Sequence, residues 1–174
     1  MKSKNYVEIQ AKAIWYLERY ATSSENLRRY LKRKVYNTYL NLGSEEIINN
    51  IINELKDQRI LNDKLFAEGK LKSLIYKGWS IKKCEFKLKE LGIDGILIKE
   101  CIEELVNDNS NLDLIAAAKL IKKRSIGIFR RRDLDDKVKN REFGIMSRAG
   151  FSYQITKKIL TEMTKEELEK LYDW

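Results

Sequence analysis

The sequence predicts an all-α protein, an elongated tandem array of three repeated three-helix units. Three observations lead there. Apolar residues recur at spacings of three and four, and strict alternation is rare. Proline is absent from all 174 residues, so no ring is forced to break a helix. The apolar pattern and the polar residues that start and stop it also recur twice further along the chain.

The first set of helices starts with Ile9, Ala13, Ile14, Leu17 and Tyr20 on one face over 9–20. Ser23 and Ser24 then offer N-caps to a helix carrying Leu27, Leu31 and Val35. Gly43 breaks the pattern. Ser44 caps a third helix, with Glu45 and Glu46 favourable in its first turn and Ile47, Ile48, Ile51, Ile52 and Leu55 on its face. In the second set, Asp63 can cap a helix with Phe66, Ala67, Leu71, Leu74 and Ile75. Gly78-Trp79 makes a turn, and Ser80 caps a helix with Ile81, Cys84, Leu88 and Leu91. Gly92 ends that helix. Asp94 caps the next, which carries Leu97, Ile98, Cys101, Ile102 and Leu105. The polar run 107–111 is a hinge or linker candidate. The third set opens with Leu112, Leu114, Ala117, Leu120 and Ile121. It continues near 137–149 with Val138, Phe143 and Met146, and turns at Gly150-Phe151-Ser152 into a helix with Ile155, Ile159, Leu160 and Met163. The tail, 165–174, keeps Leu168, Leu171, Tyr172 and Trp174, enough to dock a short extra helix.

A shift of 57 carries Ile14, Leu17, Ser23, Leu27 and Leu31 onto Leu71, Leu74, Ser80, Cys84 and Leu88. A shift of 50 carries Ile47, Ile48, Ile51, Ile52 and Leu55 onto Leu97, Ile98, Cys101, Ile102 and Leu105. A shift of 58 carries Gly92, Ile93 and Asp94 onto Gly150, Phe151 and Ser152. Amphipathic helices can always be slid into register, but here caps and turns match in order too. The repeats are expected at 1–60, 61–108 and 109–174, the last with a basic insertion and the tail.

Composition narrows the function. With 43% apolar and 35% charged residues the chain reads as globular rather than disordered. No apolar run is long enough to span a membrane, and the first residues lack the apolar core of a signal peptide, so a cytoplasmic location is expected. Histidine, the commonest general base and a common metal ligand, is absent. Cys84 and Cys101 have no CxxC partner and fall at apolar helix positions, which reads as buried thiols rather than a zinc set. There is no phosphate loop and no nucleophile elbow, and the carboxylates read mostly as solvated helix surface. No catalytic residue, metal or cofactor is expected, and the chain reads as a non-enzyme.

The net charge of +9 is segregated. Residues 12–36 hold seven basic and two acidic side chains, whereas 45–57 hold one and four. The second set repeats this, eight and two over 64–89 against one and six over 90–108, and the third holds eleven and four over 119–148 against four and five over 152–174. The first two helices of each set are basic, and the third is neutral to acidic. Such units would present a basic stripe suited to a polyanion or an acidic protein surface. The alternative is a solvated lysine surface. The expected stripe comprises Arg28, Arg29, Lys32 and Arg33 in the first unit, Lys82, Lys83, Lys87 and Lys89 in the second, and Lys122, Lys123, Arg124, Arg130, Arg131 and Arg132 in the third. Lys82, Phe86 and Lys89 lie off the apolar stripe of their helix. Phe86 could stack on a base, but packing against a neighbouring repeat is the favoured reading. The second-unit lysines and Arg130 to Arg132 lie off the core stripe or in a loop, so replacing them should cost little stability.

The segment Leu61-Asn62-Asp63-Lys64-Leu65-Phe66-Ala67-Glu68, then Gly78-Trp79-Ser80, Ile81, Leu88 and Leu91-Gly92-Ile93-Asp94, resembles the central signature of the RecX family of recombinase modulators. So does Leu17, with Ser23-Ser24-Glu25-Asn26-Leu27 and Leu31. The resemblance covers roughly 10–164. Asn62 stands where an acidic residue is common, Trp79 where a tyrosine is common, and 122–136 is longer than the usual connection. The resemblance implies a cytoplasmic protein that binds the RecA filament and usually suppresses its ATPase, strand-exchange and co-protease activities. It also implies weak, sequence-independent DNA binding. A monomer is expected. A helix-turn-helix transcriptional regulator is the alternative, although its reading helix would be the acidic one.

Overall fold

A computed structural model of the chain describes residues 3–36, 44–131 and 133–171. The expected turn at Gly43, the cation Arg132 and the tail residues Tyr172 and Trp174 lie outside the described residues. Among those described, the protein is helical, with ten α-helices and no strand. They are α1 Lys4–Leu17, α2 Ser24–Tyr36, α3 Ser44–Asp57, α4 Asp63–Tyr76, α5 Ile81–Glu90, α6 Gly95–Asp108, α7 Leu112–Arg124, α8 Asp136–Arg148, α9 Tyr153–Lys157 and α10 Lys165–Glu169. A 3₁₀ turn, Gly127–Phe129, follows α7, and α9 runs on into a π turn, Lys158–Glu162. The tenth helix is the short tail helix, closed by a capping box between Thr164 and Glu167 and anchored by buried Leu168.

The chain folds into two compact units, one from Met1–Glu68 and Lys89–Ile98, the other from Gly69–Leu88 and Lys99–Trp174. The first has its own core. Tyr6, Ile9 and Ala13 of α1 meet Leu27, Leu31 and Val35 of α2 and Ile48, Ile51, Ile52 and Leu55 of α3. The α2 and α3 stripes are those expected. In α1 the expectation fails at two places: Ile14 is 45% exposed, and Tyr20 lies beyond the helix end at Leu17. A 100° step per residue puts Tyr6, Ile9 and Ala13 on one face and turns Ile14 outward. In the second unit α7 is buried nearly all round, with Leu112, Leu114, Ile115, Ala116, Ala117, Ala118, Leu120 and Ile121 inside. Its alanines allow close approach: a Cβ on Gly78 would lie 3.0–3.2 Å from backbone atoms of Leu120 and Ala116.

The sequence offsets reappear as hydrogen bonds. In the first unit the Ser23 hydroxyl accepts from Asn26 N–H and donates to the Leu91 carbonyl. In the second, the Ser80 hydroxyl accepts from Lys83 N–H and donates to the Ala149 carbonyl at 2.8 Å. The free N–H of Ser24 donates to Asp63 Oδ1 at 2.7 Å, and that of Ile81 to Asp113 Oδ1 at 2.8 Å. Each serine thus caps one helix, α2 or α5, while binding the chain just beyond the end of another, α5 or α8. Of the two serines offered as the α2 cap, Ser23 takes the role, and the buried Ser24 hydroxyl has no hydrogen-bond partner among the described residues. Asp63 is likewise not the α4 cap. Asn62 accepts from Leu65 N–H at 3.0 Å, leaving Asp63 to serve α2 and to pair with Lys56 at 3.4 Å.

Candidate functional site

The cations on α2 point outward because Leu27, Leu31 and Val35 take the inner face. Most of them are engaged. Arg28 pairs with Glu25 at 3.0 Å and also donates to Asn49. Arg29 pairs with the other Glu25 oxygen at 3.3 Å and donates to the Glu90 carbonyl at 2.8 Å. Lys32 pairs with Glu45, and that hydrogen bond holds the Glu45 carboxyl below its ordinary range. Arg33 is exposed, with no partner among the described residues.

On α5, Cys84 and Leu88 are buried, so Lys82, Phe86 and Lys89, at i, i+4 and i+7, fall on the outer side. Phe86 is 68% exposed, which corrects the expectation that it packs against a neighbouring repeat. Lys82 is exposed with no partner among the described residues, Lys87 is half-buried, and Lys83 sits over the Trp79 ring, 4.4 Å from its centroid. Beneath them Cys84 is inert: burial pushes its thiol up to about 12, helped by the nearby Asp113 charge and opposed by Lys83. Burial also pushes the Asp113 carboxyl up, against the pull of the Ile81 N–H. Cys101 is buried as well, and neither cysteine is in a disulfide.

The third set is the most organised. Lys122, Lys123 and Arg124 occupy the exposed last turn of α7, where cations suit the helix dipole. Ser125 then takes a left-handed conformation, φ 52°, and redirects the chain. Arg130 does not float in a loop. Its Nε and Nη2 donate to the two carboxylate oxygens of Glu142, both at 2.7 Å. Glu142 also accepts from Gly127 N–H at 3.2 Å, and its side chain is 5% exposed. Glu142 is an exception among carboxylates read mostly as solvated surface, and Arg130 corrects the expectation that its replacement is cheap. The pair raises the Arg130 pKa, chiefly through this hydrogen bond. Arg124, Arg130 and Arg131 line a pocket of about 230 Å³ together with Glu142 and Arg141, a cation outside the expected stripe.

A second concavity, of about 530 Å³, was not foreseen. It lies between α1 and α2, lined by Ala11, Lys12, Trp15, Tyr30 and Lys34 with Glu8. Arg19 covers the Trp15 ring at 4.3 Å, and Tyr16 stacks on Tyr30 at 4.2 Å. The signal for it was a run of aromatics, Trp15, Tyr16 and Tyr20, too dense for a single inner face. Among the described residues there is no group of three His, Cys, Asp or Glu able to hold a metal, and no helix long and apolar enough to cross a membrane.

No family model matches the chain. Individual proteins do. It is 28% identical over 154 residues to the regulatory protein RecX of Myxococcus xanthus, covering 85% of this chain and 81% of that one. It is 28% identical over 164 residues to the regulatory protein RecX of Agrobacterium fabrum, covering 91% and 84%. The crystal structure of RecX from Lactobacillus salivarius superposes with a TM-score of 0.69 over 91% of this chain and 96% of that one, at 21% identity, and so shares its fold. The fold and these relatives agree: over most of its length the chain is similar to regulatory proteins of the RecX family.

Proposed function

We propose that this protein binds the RecA recombinase filament on DNA and lowers its ATP hydrolysis, strand exchange and co-protease activity. The observation that carries the reading is the set of exposed cations without acidic partners among the described residues, Arg33, Lys82, Lys123, Arg124 and Arg131. They lie on the basic elements of all three repeats. Exposed arginine forks and lysines suit phosphates and carboxylates alike, and a filament on DNA offers both. Several weak contacts from one folded chain give avidity without a deep pocket. Holding neighbouring subunits in one arrangement opposes the rearrangements that turnover and strand exchange require. On this reading the protein works as a cytoplasmic monomer, and it binds DNA alone weakly, without sequence preference and through phosphates.

The test is a pull-down with purified recombinase, with and without nucleotide and single-stranded DNA. The reading requires capture of recombinase assembled with both. Equal capture of unassembled recombinase, or none under any condition, would overturn it.

A further inference from the structure

The pocket beyond the end of α7 is rich in arginine, with Ser125, Ile126 and Ile145 completing its lining. Four arginines, Arg124, Arg130, Arg131 and Arg141, line it with one carboxylate residue, Glu142. That carboxylate is already committed. It takes Arg130 Nε and Nη2 at 2.7 Å each and the Gly127 N–H at 3.2 Å. The bidentate grip uses one edge of the Arg130 guanidinium and leaves its Nη1 without a partner among the described residues. Arg124, Arg131 and Arg141 are exposed and form no ion pair with the described residues. Asp133, Asp135 and Asp136, though near in sequence, do not line the pocket, and Asp135 is occupied in capping α8 by accepting from Val138 N–H. Three exposed positive charges without an ion-pair partner among the described residues therefore line one pocket. Their mutual repulsion is relieved by a bound anion with several acceptor oxygens.

The volume limits what enters. At about 230 Å³ the pocket is smaller than the roughly 300–1,000 Å³ of sites that enclose whole small molecules. It suits an anionic group rather than an entire nucleotide. We infer that this pocket binds a phosphate group through Arg124, Arg131 and Arg141, with Arg130 fixed in place by Glu142. The group comes either from a phosphodiester of single-stranded DNA or from the phosphate chain of a free nucleotide. The inference sharpens the proposed function but does not require the recombinase, so it is tested without it.

Three proteins are compared: wild type, the pocket variant R124Q/R131Q/R141Q, and the control variant K99Q/K158Q/K170Q. The control removes the same charge from exposed lysines outside the pocket. All three keep the Glu142–Arg130 clamp, and thermal melts confirm folding. If the triple variant melts early, the single Arg124→Gln, Arg131→Gln and Arg141→Gln proteins repeat the comparison. The probes are a fluorescent 20-nucleotide oligo-dT, followed by anisotropy over a salt series, and ATP, followed by equilibrium dialysis. The pocket variant is expected to lose about tenfold or more of its oligonucleotide affinity, and more salt dependence than the control. That result with ATP unbound assigns the phosphodiester. Loss of ATP binding in the pocket variant alone assigns the free nucleotide. Equal behaviour of pocket and control variants toward both probes, or no binding of either by wild type, overturns the inference.

Discussion

At the scale of single residues, Glu142 and Cys84 show how burial decides chemistry. Glu142 lies on a charged helix, yet it ties the 3₁₀ turn and Arg130 to α8. Removing one partner of a buried pair leaves the other charge uncompensated, at a cost of roughly 3–5 kcal/mol. Glu142→Ala should therefore destabilise the protein by about that amount, whereas Arg131→Gln, at an exposed position, should stay within about 0.5 kcal/mol of wild type. Urea unfolding of the two variants checks the contrast. For Cys84 the linkage is equally definite. Its thiol titrates at about 12 in the fold against an ordinary 9.0, so between those values the unfolded chain ionises first and binds fewer protons. Its contribution to stability is intact below pH 9 and declines from there to about pH 12. A Cys84→Ala protein should show a shallower loss across that window, and the native thiol should resist alkylation at pH 8 until the protein is unfolded.

At the scale of elements, the serine contacts repeat at the same sequence offsets as the helices. Ser23→Ala and Ser80→Ala each remove a helix cap and a bond to a distant carbonyl, that of Leu91 or Ala149. Each should cost at least the roughly 1 kcal/mol typical of a lost cap, with the second bond adding a similar amount. Glycine makes a sharper contrast. Gly92 has φ +76°, and a Cβ there would meet Glu25 side-chain carbons at 2.4 Å. Gly69, inside α4, has nothing within 4 Å of its Cβ position. Gly92→Ala should thus destabilise, and Gly69→Ala should stabilise by roughly 0.5–1 kcal/mol through better helix propensity. Thermal melts of both decide it.

The helices, the caps at Ser23, Ser80 and Asp94, and the buried stripes of α2, α3 and α5 were legible in the sequence. Each depends on neighbours three or four positions away, where periodicity carries information. The Glu142–Arg130 pair was not legible, because a glutamate on a charged helix looks solvated until a loop folds over it. Asp63 was misread for a related reason: its partner, Ser24 N–H, is 39 residues away. Among the expected cations, sequence could place Arg28, Arg29 and Lys32 on the surface but could not show that glutamates and a carbonyl already engage them.

At the scale of the whole molecule, the excess positive charge has to be sorted into cations held by the fold and cations open to a partner. Arg130 belongs to the first class and Arg33, Lys82, Lys123 and Arg131 to the second. Reversing the open set should weaken association by repulsion while leaving helix content unchanged. The most direct measurement is recombinase ATP hydrolysis on single-stranded DNA at two salt concentrations, with wild type and with R33E/K82E/K123E/R131E. Wild type is expected to lower turnover, less so at high salt, and the folded reversal variant is expected not to. Suppression by the reversal variant equal to wild type would reduce these cations to solvated surface. Turnover untouched by wild type, with the recombinase of its own species, would contradict the account itself.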